Sequence, residues 1–351
     1  MQIRSKHIHV LGMCGTFMAN LALLAKQLGF KVTGQDMIAY PPMSTLLEEA
    51  NMPIHLGYDA EPLNQAIDQV VVGNVMKRGH DVVEDLLESS IPYTSGPRWL
   101  YDHVLKDKHV LAVSGTHGKT TTASMLAWIL TCAGLEPGYL IGGHPLNFER
   151  SASLGGGSYF VIEADEYDTA FFDKRSKFMH YHPNTLVINN LEFDHADIFD
   201  DLKAIQTQFH HLIKTLPQST SIIYPDDSEA IMQLLGWGCW SQSIPMASDA
   251  WHTKLEQSDG SKFSVYYQAQ HKVDVSWSQY GKHNIANALS AMLAAVQVGV
   301  SLEEAADALH SYRGVKRRLE QVGHAKGVRV YDDFAHHPTA IGETISAMKS
   351  K

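Results

Sequence analysis

The sequence predicts an α/β protein built from parallel sheets with crossover helices. Three observations carry this. Short β-branched runs alternate with amphipathic stretches from the first residues, two glycine-bearing loops each stand between such a run and a helix, and acidic clusters close two later runs. At roughly 150 residues per domain, 351 residues allow two to three domains, and two domains with a remainder is the working expectation.

Taken in order, His7-Ile8-His9-Val10-Leu11 reads as a strand, about 16–29 as a helix and Lys31-Val32-Thr33-Gly34 as a second strand, a βαβ opening. Pro41-Pro42 leads a helix through about Asn51, Gln69-Val70-Val71-Val72-Gly73 is a buried strand, Val82 to Ser89 is helical and 97–107 forms a connector. A fresh unit starts at His109-Val110-Leu111-Ala112-Val113-Ser114, followed by a glycine loop and a helix to about Ala133. Further strands are expected at Tyr159 to Ile162, Thr185 to Ile188 and Ser221 to Tyr224, with a helix over about 199–215. Their spacing fits parallel strands joined by helices. The alternating Lys262 to Tyr267 and Val273 to Trp277 predict an appended hairpin. Helices follow at about 283–298 and 301–312, the second opening on the capping-box pattern Ser301-Leu302-Glu303-Glu304. After Arg318, Val328 to Tyr331 reads as a strand and His337 to Met348 as a helix, the beginning of another βα unit.

Composition removes several classes of function. The formal charge is −10, from 38 acidic against 28 basic residues, which disfavours nucleic acid as a partner. The most apolar stretch, Met125 to Leu130, is far shorter than the roughly 20 residues of a bilayer crossing. The opening residues run into a strand without the h-region of a secretory signal, so the expectation is a soluble, cytoplasmic protein without a membrane partner. Cys14, Cys132 and Cys239 are scattered singly and read as reduced. The 20 histidines, including His210-His211, lack a partnering cysteine cluster, so no zinc site is expected.

In Ser114-Gly115-Thr116-His117-Gly118-Lys119-Thr120-Thr121 the glycines let backbone amides turn inward while the next helix aims its positive end at an anion. Lys119 adds a point charge and Thr120 a hydroxyl for magnesium, so the loop predicts ATP phosphates. The full pattern wants a glycine where this chain has Val113. A second loop, Gly12-Met13-Cys14-Gly15-Thr16-Phe17, follows the first strand, with Asp36 placed to receive a sugar hydroxyl and the third glycine of the dinucleotide fingerprint missing. Val161-Ile162-Glu163-Ala164-Asp165-Glu166 and Asn189-Asn190-Leu191-Glu192-Phe193-Asp194-His195 deliver carboxylates and an imidazole at strand ends, where parallel sheets gather ligands. Glu163 is a candidate to hold magnesium beside Thr120.

These motifs, with Gly281-Lys282-His283-Asn284-Ile285-Ala286-Asn287 and Asp332-Asp333-Phe334-Ala335-His336-His337-Pro338, resemble the ordered motif set of the Mur ligases over the whole chain. The resemblance implies a UDP-sugar-binding Rossmann-like domain at 1–107, a central P-loop ATPase-like domain at 108–315 and, at 316–351, the incomplete beginning of a third α/β domain. It implies ATP and Mg2+ as cofactors and ligation through an acyl phosphate. Tyr40 to Leu47 and the block Glu163 to Leu212 resemble the branch that joins the tripeptide L-Ala-γ-D-Glu-meso-diaminopimelate to UDP-N-acetylmuramate in peptidoglycan recycling. Carried over by motif, Lys119, Glu163 and His195 are the catalytic candidates and Thr120, Glu163 and His195 the metal neighbours. Residues 115–121 with Asn284, Asn287, Arg318 and Asp333 would contact ATP, and Gly12, Gly15, Thr16, Asp36, Gly73 and Asn74 the UDP-sugar. Several family members use a carbamylated lysine after the DH motif. Thr207-Gln208-Phe209-His210-His211 offers none, and His210 is the substitute considered. Lys174, Arg175 and Lys177 are candidate contacts for acidic substrate groups or a solvated charge run.

Two other readings follow the same residues. Transfer of L-alanine instead of the tripeptide is one. The other is a nucleotide-binding regulator or scaffold, motivated by a third domain of which only about one strand and one helix is expected. Folylpolyglutamate synthesis shares the phosphate loop but lacks a counterpart of the N-terminal domain.

Overall fold

A computed structural model describes residues 5–194, 198–246 and 249–350. The chain is α/β, and its contacts divide it into two units. The first holds the described residues through Asp107 together with Ala152–Leu154 and Glu166–Tyr181. The second holds Lys108–Ser151, Gly155–Asp165 and the described residues from His182 onward.

The first unit opens with β1 (His7–Leu11), α1 (Thr16–Gln27), β2 (Lys31–Asp36), α2 (Met43–Glu49), β3 (Ile54–Leu56), β4 (Gln69–Val72), α3 (Asp81–Glu88), β5 (Tyr93–Ser95) and α4 (Gly96–Leu100). Its parallel sheet runs β3-β2-β1-β4-β5, so successive connections depart in opposite directions from β1. That reversal opens a crevice at the carboxyl ends of β1 and β4. The apolar runs of β1 and β4 are buried, and Leu11, Val70, Val72, Val82 and Leu86 form the core on one face. Residues 97–107, expected as a connector, instead complete α4 and pass into one π-helical turn, Tyr101–Leu105. Proline is tolerated in a first helical turn, Ser95 Oγ accepts the Arg98 N–H, and fully buried Trp99 anchors the segment.

A buried polar ladder ties β1 to β2. Gln35 Nε2 donates to the carbonyls of Gly57 and Asp59, which turns its Oε1 toward His9 Nε2 at 3.0 Å. His9 Nε2 therefore carries the proton, and Nδ1 accepts from Thr33 Oγ1 at 2.8 Å. Burial holds the His9 pKa down at about 4.

The second unit starts with β6 (His109–Ser114), α5 (Lys119–Cys132) and β7 (Gly138–Leu140). The short β8 (Ala152–Ser153) belongs to the first unit, β9 (Tyr159–Glu163) to the second, and the hairpin β10 (Asp168–Ala170) and β11 (Asp173–Ser176) to the first again. Ala170 is fully buried in the first unit's core, which is what holds that excursion there. The second unit continues through β12 (Thr185–Ile188), α6 (Leu202–Thr215), β13 (Ser221–Pro225), α7 (Glu229–Gly236) and β14 (Gln242–Met246). Its parallel strands run β14-β13-β12-β6-β9-β7. Polar β14, with Pro245, lies at the outer edge, where proline is allowed. The helix expected from about 199 starts at 202 because Asp201 Oδ1 caps it by accepting the Ala204 N–H.

The expected hairpin is a three-stranded antiparallel sheet of β15 (Trp251–Leu255), β16 (Lys262–Tyr267) and β17 (Gln270–Ser276). Then come α8 (Lys282–Val296) and α9 (Leu302–His310), with the Ser301/Glu304 capping box formed in both directions. Helix α5 is buried nearly all round because it packs against the sheet, α8 and α9. The segment after 315 contains the hairpin β18 (Glu320–Ala325) and β19 (Val328–Asp332) and then α10 (Pro338–Ser350), so the expected single strand has an antiparallel partner.

His9 yields a pH test. In the folded chain it stays neutral down to about pH 4, whereas an unfolded histidine protonates near 6.5. The unfolded state therefore binds more protons in that window, and stability falls as pH drops from 6.5 to 4. This contribution is on the order of 3 kcal/mol at about 1.4 kcal/mol per pKa unit. Urea unfolding at pH 7 and pH 4.5 will show a smaller acid loss in His9→Gln than in wild type; equal losses would remove His9 as the cause.

Candidate active site

Three strands of the second unit end side by side: β6 is hydrogen-bonded to β12 on one flank and β9 on the other. Their carboxyl ends carry Ser114, Asn189 and Glu163 into one place. Ser114 is buried and donates through Oγ to the Val187 carbonyl, so the loop leaves β6 from a fixed point. Val113, at the missing glycine, is a fully buried strand residue paired with Val187 and Glu163. The chain's turn into the loop comes two residues later, at Gly115.

Gly115 has φ +124°, and a Cβ there would lie 2.9 Å from the Asn190 carbonyl oxygen. Gly118 has φ +77°, and its Cβ would lie 2.4 Å from Asn287 Oδ1. Side chains are excluded from both by conformation and by space. Between them Asn190 holds the loop. It accepts the Thr116 N–H on its carbonyl at 3.3 Å and the His117 N–H on Oδ1 at 2.8 Å, and its Nδ2 donates to the His117 carbonyl at 3.2 Å. Asn189 donates its N–H to Ser114 O and its Nδ2 to Thr122 Oγ1, and Thr116 exchanges bonds with the Glu192 backbone. Gly118 has no side chain to cap α5, which leaves the first-turn amides for an anion.

Thr120 Oγ1 donates to Glu163 Oε1 at 2.9 Å, and Gly142 N–H donates to Glu163 Oε2 at 2.7 Å. Burial raises the Glu163 pKa, and the Lys119 charge and these bonds oppose that rise. Lys119 Nζ lies 3.3 Å from Asp165 Oδ1. A hydroxyl and a half-buried carboxylate offer oxygen donors to a hard divalent cation, with the Lys119 ammonium nearby as a cationic phosphate contact. The residues fit magnesium on that ground.

Of the other expected contacts, Asn287 abuts Gly118, and Asn284, one turn earlier on α8, donates to the Tyr280 carbonyl. Asp333 accepts the N–H groups of Leu319 and Ala335, so its carboxylate fixes the backbone beside Arg318, whose guanidinium lies 5.2 Å above the Phe334 ring. His195 lies outside the described residues. His210 packs edge-on against Trp237 at 5.7 Å in a groove between α6 and α7.

In the first unit, Gly12 and Gly73 follow β1 and β4, Gly15 and Thr16 open α1, and Asn74 is exposed beside Gly73. Asp36 accepts the Cys14 N–H on Oδ2 and the Met37 N–H and Tyr58 hydroxyl on Oδ1, which places a carboxylate against the Gly12–Gly15 loop. Lys174 pairs with Asp168 and Arg175 with Asp173, while Lys177 lies over the Phe17 and Tyr167 rings. The charge run is engaged within its own unit.

Asn189, Asn190, Asp165 and Gly142 were not picked out as separate site residues from the sequence. The first three lie inside motifs already noticed, and only the paired strand ends reveal their partners. Gly142 carries no sequence signal.

Comparison with known proteins is consistent along the whole chain. Residues 7–108 match the family described as Mur ligase family, catalytic domain, and 113–295 match the Mur ligase middle domain. The UDP-N-acetylmuramate–L-alanyl-γ-D-glutamyl-meso-2,6-diaminoheptandioate ligase of Haemophilus influenzae is 54% identical over 347 residues, 99% of this chain and 77% of that protein. The UDP-N-acetylmuramate–L-alanine ligase of Syntrophomonas wolfei is 32% identical, over 98% of this chain and 74% of that protein. The solved UDP-N-acetylmuramate:L-alanyl-γ-D-glutamyl-meso-diaminopimelate ligase from Neisseria meningitides superposes with TM-score 0.86 at 50% identity, covering 90% of this chain and 100% of that one.

Gly118→Ala is expected to lower stability by at least about 1–2 kcal/mol from its left-handed conformation alone, and to abolish thermal stabilisation by an ATP analogue. A melt with and without the analogue checks both; unaltered analogue stabilisation would show that the loop tolerates the side chain.

Proposed function

Because the chain belongs to the Mur ligase family of ATP-dependent amide ligases, we propose that it joins the tripeptide L-Ala-γ-D-Glu-meso-diaminopimelate to UDP-N-acetylmuramate, in peptidoglycan recycling. The observation that carries the tripeptide is the 54% identity to the tripeptide-adding relative, against 32% to the L-alanine-adding one. The muramate carboxylate takes the γ-phosphoryl group of ATP, giving an acyl phosphate and ADP. The tripeptide amine then forms the amide bond and releases phosphate and a proton.

Two anions must meet in the first step, so their repulsion is the barrier to offset. Lys119 turns from Asp165 to the phosphates, and the uncapped amides of α5 receive the remaining charge. Thr120 and Glu163, with His195, are the residues that would hold Mg2+, which supplies charge neutralisation at the transferred phosphoryl group. Asn284, Asn287, Arg318 and Asp333 are assigned to the nucleotide, and Gly12, Gly15, Thr16, Asp36, Gly73 and Asn74 to the UDP-sugar. We assign 1–107 to UDP-sugar binding, 108–315 to ATP binding and 316–351 to the start of a third α/β domain. No described helix is long and apolar enough to cross a membrane. We place the reaction in the cytoplasm, where ATP and nucleotide sugars are available.

ADP and phosphate release is expected only when ATP, Mg2+, UDP-N-acetylmuramate and the tripeptide are all present. Turnover with L-alanine and none with the tripeptide would reassign the substrate. Lys119→Ala should abolish turnover while a calorimetric titration with UDP-N-acetylmuramate stays within about twofold of wild type. Loss of both in a folded variant would contradict the assignment of the two loops to different ligands.

A further inference from the structure

Beside the phosphate loop lies a second polar cluster, of which the ligase reading assigns only His117, as a loop contact to ATP. His117 comes from the loop, Glu192 from the segment after β12 and His337 from the turn before α10. One ligand atom from each lies within 4.8 Å of the other two. His117 Nε2 is 3.4 Å and His337 Nδ1 3.6 Å from Glu192 Oε2, and the two imidazole rings are 4.4 Å apart. Donors bound tetrahedrally at 2.0–2.1 Å are separated by about 3.3 Å, close to the two imidazole–carboxylate spacings here.

The surroundings orient the donors as well. His337 Nε2 lies 3.2 Å from the Phe193 carbonyl, an acceptor, so that nitrogen carries the proton and Nδ1, 3.6 Å from Glu192 Oε2, keeps its lone pair. A backbone carbonyl on the far nitrogen is the usual support of a metal-bound histidine. The Thr339 N–H, 3.3 Å from Nδ1, is the contact a bound cation would displace, and Thr339 Oγ1 donates to Glu192 Oε2 at 2.6 Å. His117 Nε2 is buried and makes no hydrogen bond among the described residues, with the Glu192 carboxylate nearby.

We propose that His117, Glu192 and His337 bind one divalent transition-metal cation of the zinc class. Two imidazoles among three protein ligands favour zinc or cobalt over magnesium, a hard cation that prefers oxygen donors. Three protein ligands leave a fourth position for water or a phosphate oxygen. The site shares no residue with the position assigned to Thr120, Glu163 and His195, and it ties the turn before α10 to the phosphate loop. Sequence spacing gives no sign of it because its ligands come from three distant segments.

Cobalt titration of the 351-residue chain without nucleotide tests this. One equivalent of Co2+ should develop the visible bands of four-coordinate cobalt, stoichiometric Zn2+ should remove them, and excess Mg2+ should not. Glu192→Gln and His337→Ala should weaken binding by about a hundredfold or more, since lost outer partners alone cost 10–100-fold. Glu163→Gln should keep the bands, and so should His55→Ala, which disrupts the exposed His55/Asp59/Glu61 group. Circular dichroism checks folding, and if His337→Ala unfolds, the isosteric Glu192→Gln decides. Absent bands in wild type, wild-type affinity in folded Glu192→Gln, or loss of the bands in folded Glu163→Gln would each overturn the proposal.

Discussion

The grip of Asn190 on the phosphate loop is the constraint on which the rest of the site depends. One residue, at the end of β12, bonds to the Thr116 N–H, the His117 N–H and the His117 carbonyl. It does so only because β12 lies directly beside β6, in a register that sets Ile188 opposite Ser114. That close approach forces glycine at 115, Asn287 of α8 excludes a side chain at 118, and the helix that follows starts without a side-chain cap. The loop is shaped before an anion arrives, so little ordering entropy is left to oppose binding.

The charges beside the loop are arranged on the same principle. Lys119 is paired with Asp165, and Glu163 is pinned by Thr120 and the Gly142 N–H. Burying a carboxylate is costly unless it is bonded or faces a cation, and Glu163 has both supports. On the other side of the loop, His117, Glu192 and His337 offer softer donors. One seven-residue loop therefore borders two donor sets of different chemistry, and each draws on a different strand end.

The parts of the fold with strong local signals were legible in the sequence. The parallel strands at 7–11, 109–114, 159–163 and 185–188 are β-branched and buried, and the phosphate loop and the Ser301 capping box announce themselves by residue type. The Thr120–Glu163 pairing follows from placing Thr120 at the start of the helix after the phosphate loop and Glu163 at a strand end. What stayed hidden depends on neighbours in space. β3 and β5 are three-residue strands, and β14 is polar and stable only as the edge of a sheet. The 166–181 hairpin packs with the first unit because Ala170 is buried there, and no periodicity reports that. Asn190 looks like the polar end of a strand until its carboxamide is seen on the loop, and His337 is 145 residues from Glu192 in a motif read only for its resemblance.

Native-state hydrogen exchange on the loop amides, without nucleotide, tests the pre-shaped loop most directly. The Thr116 and His117 amides should exchange slowly in wild type, and His117 should lose its protection in Asn190→Ala while the β6 amides keep theirs. Free exchange of both loop amides in wild type, with protection appearing only when an ATP analogue is added, would contradict a loop held in place by Asn190.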